Sequence, residues 1–122
     1  GVCGDTCNSR PEDTQNFTAL LAEFRRQLDA VRPGLLPTIA APAGPDYIAK
    51  YQINQIHQYL DAVNLMAYDF HGTWDTATGF HSALHPAGGD PARASRLTVA
   101  EAVATWLQGG LPASKLIVGV PF

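Results

Sequence analysis

The stretch from Leu60 to Trp74, LDAVNLMAYDFHGTW, decides how this sequence is interpreted. Its first half is an apolar run rich in strand-forming residues, and it ends abruptly in polar side chains at Tyr68, Asp69 and His71. In parallel α/β proteins the interior of a strand is buried, whereas residues at its C-terminal end face the substrate. The stretch therefore predicts a buried strand over Ala62–Tyr68 with functional side chains at its end.

A helical pattern precedes this strand. Ser9 and Glu12 have the spacing of a capping box, and Pro33-Gly34 ends the pattern. Because apolar residues recur every three or four positions over Pro11–Val31, an amphipathic helix is predicted there. Its predicted buried face comprises Phe17, Leu20, Leu21, Phe24, Leu28 and Val31.

Further helices and strands alternate along the rest of the chain. Thr98 and Glu101 again have capping-box spacing and open a helix that Gly109-Gly110 ends. Three strands separated by helices predict a parallel sheet with right-handed crossovers, an α/β fold. The other predicted strands are Leu35–Ala41 and Leu116–Val120; a less regular helix carries Ile48, Ile53, Ile56 and Leu60; and the last helix buries Val99, Ala102, Val103, Trp106 and Leu107.

The composition is that of a globular interior with a modestly charged surface. Of the 122 residues, 46% are hydrophobic and 16% charged, and the formal charge is −3. The eight Lys and Arg residues form no basic patch, so neither a nucleic-acid nor a membrane partner is predicted. Cys3 and Cys7 are compatible with a small disulfide loop or with two free thiols.

A long connection follows the strand that ends at Tyr68. Nearly thirty residues separate Tyr68 from Thr98, whereas ordinary βα loops have a few residues. Aromatic rings stack on pyranose faces and polar groups bind hydroxyls, so this loop suits a sugar. Its candidate residues are Phe70, Trp74, Phe80, His81, Ser82 and His85. The four histidines lack the fixed spacing of metal ligands, and no metal or other cofactor is predicted.

Met66, Ala67, Tyr68 and Asp69 resemble the Met-x-Tyr-Asp motif at the sixth barrel strand of family 18 glycoside hydrolases, the chitinases. Residues 81–84 and 115–122 also resemble the corresponding parts of bacterial chitinases. The resemblance implies a fragment of a (β/α)₈ TIM barrel, about strands five to seven with helices four to six. A complete barrel needs about 250 residues. Residues 1–122 are therefore expected to form a partial catalytic domain, incomplete at both ends.

The same resemblance implies a secreted, monomeric enzyme whose partners are chitin or chitooligosaccharides. It implies retaining hydrolysis of β-1,4-linked N-acetylglucosamine polymers, in which the substrate's own acetamido group attacks the anomeric carbon. Tyr68 and Asp69 are the implied catalytic residues: Tyr68 would position the acetamido oxygen, and Asp69 would bind the sugar. Met66 and Trp74 are the implied substrate-binding residues, below the reacting sugar and on the leaving-group side.

The general acid of such an enzyme is missing from this sequence. The family carries its catalytic glutamate in an Asp-x-x-Asp-x-Asp-x-Glu motif after the fourth strand, which is expected upstream of Gly1. The only glutamates, Glu12, Glu23 and Glu101, fall on predicted helices. The isolated chain is therefore expected to be inactive. Chitinase-like lectins keep the barrel but lose this glutamate, so a carbohydrate-binding protein without hydrolytic activity is the alternative.

Overall fold

A three-stranded parallel sheet forms the centre of the fold, in a computed structural model that describes residues 7–90 and 93–122. The strand order is β1-β2-β3, with Thr38 paired with Ala62 and Val63 with Leu116. The mixed α/β prediction is therefore confirmed. The strands are β1, Thr38–Pro42; β2, Ala62–Met66; and β3, Leu116–Val118.

Each strand is a few residues shorter or later than its sequence pattern suggested. The predicted strand through Tyr68 ends at Met66, because the N–H of Ala67 donates to the carbonyl of Leu65 at 3.0 Å and leaves the ladder. Tyr68 and Asp69 consequently lie beyond the strand.

Four α-helices accompany the sheet among the described residues. They are α1, Asp13–Val31; α2, Pro45–Ile48; α3, Ile53–Ile56; and α4, Val99–Gln108, with 3-10 turns at Arg93–Ser95 and Ala113–Lys115. The single helix predicted across Ile48 and Ile53 is wrong, since two short helices replace it. Two residues five positions apart on one helix would point in different directions. Both isoleucines are nevertheless buried, because the non-helical backbone of Gln52 between them lets both side chains reach the core.

Helix α1 ends at Val31 as predicted, but it starts two residues later than predicted and differs in its buried face. The Ser9–Glu12 capping box is wrong: the helix begins at Asp13, whose carboxylate accepts the N–H of Arg10 at 2.8 Å. Only part of the apolar face is covered, since Leu21 is buried and Phe17 and Leu28 are half-buried. The remaining three residues are exposed: Leu20, Phe24 and Val31.

Helix α4 agrees closely with its prediction. The Thr98 hydroxyl accepts the N–H of Glu101 at 3.3 Å, as a helix cap does, while the Glu101 carboxylate pairs with Arg96 instead of returning to the cap. Trp106 is fully buried in the core, and Gly110, with φ of 100°, follows the helix end in a conformation that favours glycine. Leu107 is the exception, being 38% exposed.

Two basic side chains tie the elements together at the end of the sheet where the strands begin. Arg25 donates to the carbonyls of Tyr59 and Leu35 and pairs with Asp61, which fixes α1 to the segments that enter β1 and β2. Lys115 donates to the carbonyls of His57 and Leu60, both at 2.7 Å. The loops that follow the strands lie at the opposite end of the sheet.

The remaining sequence predictions concern the cysteines and the membrane. Cys7 is disulfide-bonded, so a free thiol at that position is excluded, while Cys3 lies outside the described residues. Among the described helices none combines the length and apolar character needed to cross a bilayer.

Candidate active site

A groove of about 420 Å³ opens at the C-terminal ends of β1 and β2. Parallel strands place these ends at one edge of the sheet, where α/β proteins bind their ligands. Its lining comes from the segment after β1, from the segment after β2 and from the residue before the α4 cap. The lining residues are Pro42, Ala43, Gly44, Tyr47, Met66, Tyr68, Asp69, Phe70, Trp74, Asp75 and Leu97.

All four residues predicted from the sequence line this one groove. Met66 is the last residue of β2 and Tyr68 lies two residues further along the chain; both are half-buried. The side chain of Asp69 is 64% exposed and that of Trp74 is 67% exposed. The structure thus brings Met66, Tyr68, Asp69 and Trp74 together, and the Trp74 ring lies outside the hydrophobic core.

The backbone turns sharply at Asp69. Its φ of 56° lies in the left-handed region, which a residue with a side chain adopts at a cost. The Asp69 carboxylate lies 3.5 Å from Nε2 of His81, and the neighbouring Phe70 N–H donates to the carbonyl of His81 at 3.0 Å. Contacts from the long loop therefore surround the segment that carries Tyr68 and Asp69.

Tyr68 packs against the segment that follows β3. A Cβ atom added at Gly119 would lie 2.7 Å from the carbonyl oxygen of Leu65 and 3.0 Å from Cε1 of Tyr68. The N–H of Gly119 donates to that same carbonyl at 2.8 Å. The absence of a side chain at Gly119 is therefore what allows the Tyr68 ring and the backbone to approach each other.

A compact turn presents Trp74 at the rim of the groove. The Asp75 carboxylate accepts one hydrogen bond from the Gly72 N–H at 3.1 Å and lies 3.2 Å from Nδ1 of His71. The Trp74 ring lies directly over Gly72, where an added Cβ would come within 2.4 Å of it. An exposed ring held by a turn of this kind offers a flat apolar surface for stacking.

Sequence reasoning missed half of the groove. The wall formed by residues 42–44, Tyr47 and Leu97 was not predicted, nor was Asp75. The signal was present for residues 42–44, because they follow a parallel strand whose C-terminal end must share the edge with β2. Phe80 and His85 do not line the groove, whereas Phe70 does. A second pocket of about 240 Å³ shares Pro42 and Tyr47 but contains none of the predicted site residues.

The carboxylates of the groove are aspartates. None of the glutamates Glu12, Glu23 and Glu101 lines it: Glu23 pairs with Arg26 and Glu101 with Arg96. The hydrogen bond from Arg26, followed by that from Gln27, lowers the pKa of Glu23 to about 2, so this group is an ionised surface carboxylate. Within residues 7–90 and 93–122 no three His, Cys, Asp or Glu side chains gather as a metal site requires.

An exposed aromatic ring, a phenol and a carboxylate at the end of parallel strands are the elements of a carbohydrate site. Comparison with known proteins agrees with that chemistry. Residues 5–122 match the family described as Glycosyl hydrolases family 18. The chain belongs to this family. The resemblance seen in Met66–Asp69 is thus confirmed for nearly the whole sequence.

Individual relatives carry the names chitotriosidase or chitinase. Mouse chitotriosidase-1 is 42% identical over 115 residues, which are 89% of this chain and 25% of that protein. Among solved structures, chitinase ChiA74 from Bacillus thuringiensis has a TM-score of 0.90 at 38% identity, covering 95% of this chain and 19% of that one. The Group IV chitinase of Ostrinia furnacalis, solved in complex with allosamidin, has a TM-score of 0.86 at 35% identity, covering 98% of this chain and 32% of that one. The chain thus spans a third or less of each relative.

Proposed function

We propose that residues 1–122 are a partial family 18 catalytic domain, comprising strands five to seven and helices four to six of a (β/α)₈ barrel. Two observations support this. The sheet is parallel with helices in its crossovers, as in such a barrel, and the chain covers only a part of each family member it matches. β1, β2 and β3 would then be strands five, six and seven of the barrel in the full-length protein.

The activity that the groove supports best is retaining hydrolysis of β-1,4-linked N-acetylglucosamine polymers. One observation carries this proposal: Met66, Tyr68, Asp69 and Trp74 line a single groove at the C-terminal edge of the sheet. Family membership supplies the substrate class, and two of the three relatives described above are named chitinases. Those names favour an enzyme over the lectin alternative.

Each of the four side chains has a role in this mechanism. In substrate-assisted cleavage the acetamido oxygen of the substrate attacks the anomeric carbon, and a protonated carboxyl group delivers a proton to the leaving oxygen. The Tyr68 hydroxyl would donate to the acetamido oxygen and hold it for attack, while Asp69 would hydrogen-bond the same sugar. Met66 would contact its apolar face from below, and Trp74 would stack on a sugar on the leaving-group side.

The proton donor would come from another part of the full-length protein. No glutamate of this chain reaches the groove, so the proposal requires a carboxyl group after strand four of the barrel, upstream of β1. The protein is further proposed to be secreted and monomeric and to need no cofactor. The isolated chain would be inactive, because it holds the acetamido-positioning half of the site without the acid.

Replacing Tyr68 by Phe tests the mechanism in the full-length protein. The substitution keeps the ring and removes one preorganised donor, so kcat for chitotetraose should fall by about 10- to 1000-fold. Tyr59→Phe is the matched control, because Tyr59 packs against the core away from the groove. Hydrolysis by Tyr68→Phe at the parental rate would contradict the role of Tyr68. Failure of the unmodified protein to release reducing sugar from chitin would contradict the activity itself.

A further inference from the structure

Residues 81–84, the bracing segment, form two hydrogen bonds to the backbone on either side of Tyr68 and Asp69. The hydroxyl of Ser82 donates to the carbonyl of Ala67 at 2.5 Å. The carbonyl of His81 accepts the N–H of Phe70 at 3.0 Å. The two residues at the centre of the groove are thus flanked on both sides by bonds to a segment more than ten positions further along the chain.

The bracing segment is itself attached to the rigid part of the molecule. The carbonyls of Ala83 and Leu84 accept the N–H groups of Val99 and Ala100 at 2.9 Å and 3.1 Å, which satisfies donors in the first turn of α4. Helix α4 is in turn fixed in the core by the buried Trp106. A continuous path of hydrogen bonds and packing therefore joins the core helix to the Tyr68 segment.

The Tyr68 segment depends on such support because it has left the sheet. Ladder pairing of β2 ends at Met66, and Asp69 adopts a left-handed conformation that is unfavourable unless its surroundings impose it. Ala67 is completely buried, so its carbonyl needs a partner in the protein. Ser82 supplies that partner, since a hydroxyl can donate to a carbonyl whereas a methyl group cannot.

We propose that Ser82 is a positioning residue for Tyr68, acting through the Ala67 carbonyl without touching substrate. Ser82 is not among the residues that line the groove, so its effect on the reaction must pass through the backbone. The inference rests on the proposed function, because it assigns to Ser82 the orientation of the hydroxyl that holds the acetamido group. Loss of the bond would let the Tyr68 backbone relax and would misplace that hydroxyl.

A double-mutant cycle on kcat tests this in the full-length protein. Ser82→Ala should lower kcat for chitotetraose by about 10- to 100-fold, the penalty of misplacing a catalytic group by a fraction of an ångström to about one ångström. In a Tyr68→Phe background the same substitution should lower kcat by less than about twofold, because the group that it misplaces is already gone. A merely structural role would give the same loss in both backgrounds.

Two further variants keep the result interpretable. Ser82→Cys has nearly the same shape and only a weak donor, so it should fold like the parent and lose kcat to an intermediate extent. Ser114→Ala is the control, because Ser114 is an exposed serine in the 3-10 turn before β3 and should leave kcat unchanged.

The possible outcomes separate the two proposals. Equal losses in both backgrounds, or parental kcat in Ser82→Ala and Ser82→Cys, would overturn the positioning role while leaving the proposed function intact. An unmodified protein that does not hydrolyse chitotetraose would contradict the proposed function, and the role of Ser82 in it would be rejected with it. A loss of kcat that occurs when Tyr68 is present, and not in the Tyr68→Phe background, supports the positioning role of Ser82.

Discussion

The indole N–H of Trp106 donates to the carbonyl oxygen of Pro42 at 3.2 Å, joining the last turn of α4 to the residue at which β1 ends and the groove begins. Trp106 has no exposed surface, and its ring centroid lies 5.4 Å from that of Tyr51. Burial raises the pKa of the Tyr51 hydroxyl, as expected for a phenol in this apolar surrounding. The Trp106 side chain therefore packs in the core and also holds Pro42, a residue that lines the groove.

Trp106→Phe should destabilise the full-length protein by about 1 to 3 kcal/mol. The substitution deletes a hydrogen bond to a core-facing carbonyl and leaves a cavity where the larger ring was. Urea unfolding followed by circular dichroism measures the effect. Trp74→Phe is the matched control, because Trp74 is exposed and its replacement should change stability by less than about 0.5 kcal/mol. Similar stabilities for the two variants would contradict the core role of Trp106.

Sequence patterns predicted the features that depend on neighbouring residues. The cap at Thr98, the core position of Trp106 and the strand before Tyr68 follow from spacing and strand propensity, and the structure has all three. The position of Met66–Asp69 at the groove also followed, because any parallel strand ends at this edge.

Other features depend on tertiary contacts, which the spacing of apolar residues along the chain does not reveal. The break at Gln52 reflects the need to bury both Ile48 and Ile53, and it could not be predicted before the sheet they cover was known. Helical spacing identified Leu20 and Phe24 as apolar, but it does not say how much of that face is covered. Likewise the role of Ser82 depends on a carbonyl 15 residues away.

Gly119→Ala should lower kcat by about 10- to 100-fold in the full-length protein. The added methyl group would clash with the Leu65 carbonyl, a backbone atom that cannot move freely, and would press on the Tyr68 ring. Steady-state hydrolysis of chitotetraose checks this. Gly88→Ala is the control, since nothing lies within 4 Å of the corresponding position. Parental kcat in Gly119→Ala would show that Tyr68 is not held by this contact.

Trp74→Ala should weaken binding of chitooligosaccharides by about 1 to 2 kcal/mol, the range for a lost aromatic contact. The ring is 67% exposed, so folding stability should hardly change. Isothermal titration calorimetry with chitotetraose compares the affinities of Tyr68→Phe and of the Tyr68→Phe/Trp74→Ala double variant, in which turnover is slowed. Unchanged affinity, or a loss of several degrees in melting temperature, would argue against a sugar platform.

Asp75→Ala should weaken the same binding by a smaller amount, because Asp75 organises the turn that presents the Trp74 ring. The effect should be indirect. In a Trp74→Ala background the Asp75 substitution should then add little, since the ring that it orients is absent. A full additive loss in the double variant would indicate that Asp75 binds the sugar itself.

Residues 1–122 expressed alone should be aggregation-prone or loosely packed. Within residues 7–90 and 93–122 the sheet has two unpaired edges, on β1 and β3, and apolar side chains on and after β3 are exposed, with Ile117 at 53% and Val120 at 61%. In a closed barrel these surfaces would be covered by neighbouring strands and by the side chains that fill its interior. Near-ultraviolet circular dichroism and thermal unfolding test the expectation, with release of reducing sugar from chitotetraose as a second readout. A cooperatively folded monomer would contradict the partial-barrel proposal, whereas hydrolysis by the isolated chain would mean that the proton donor lies among these 122 residues.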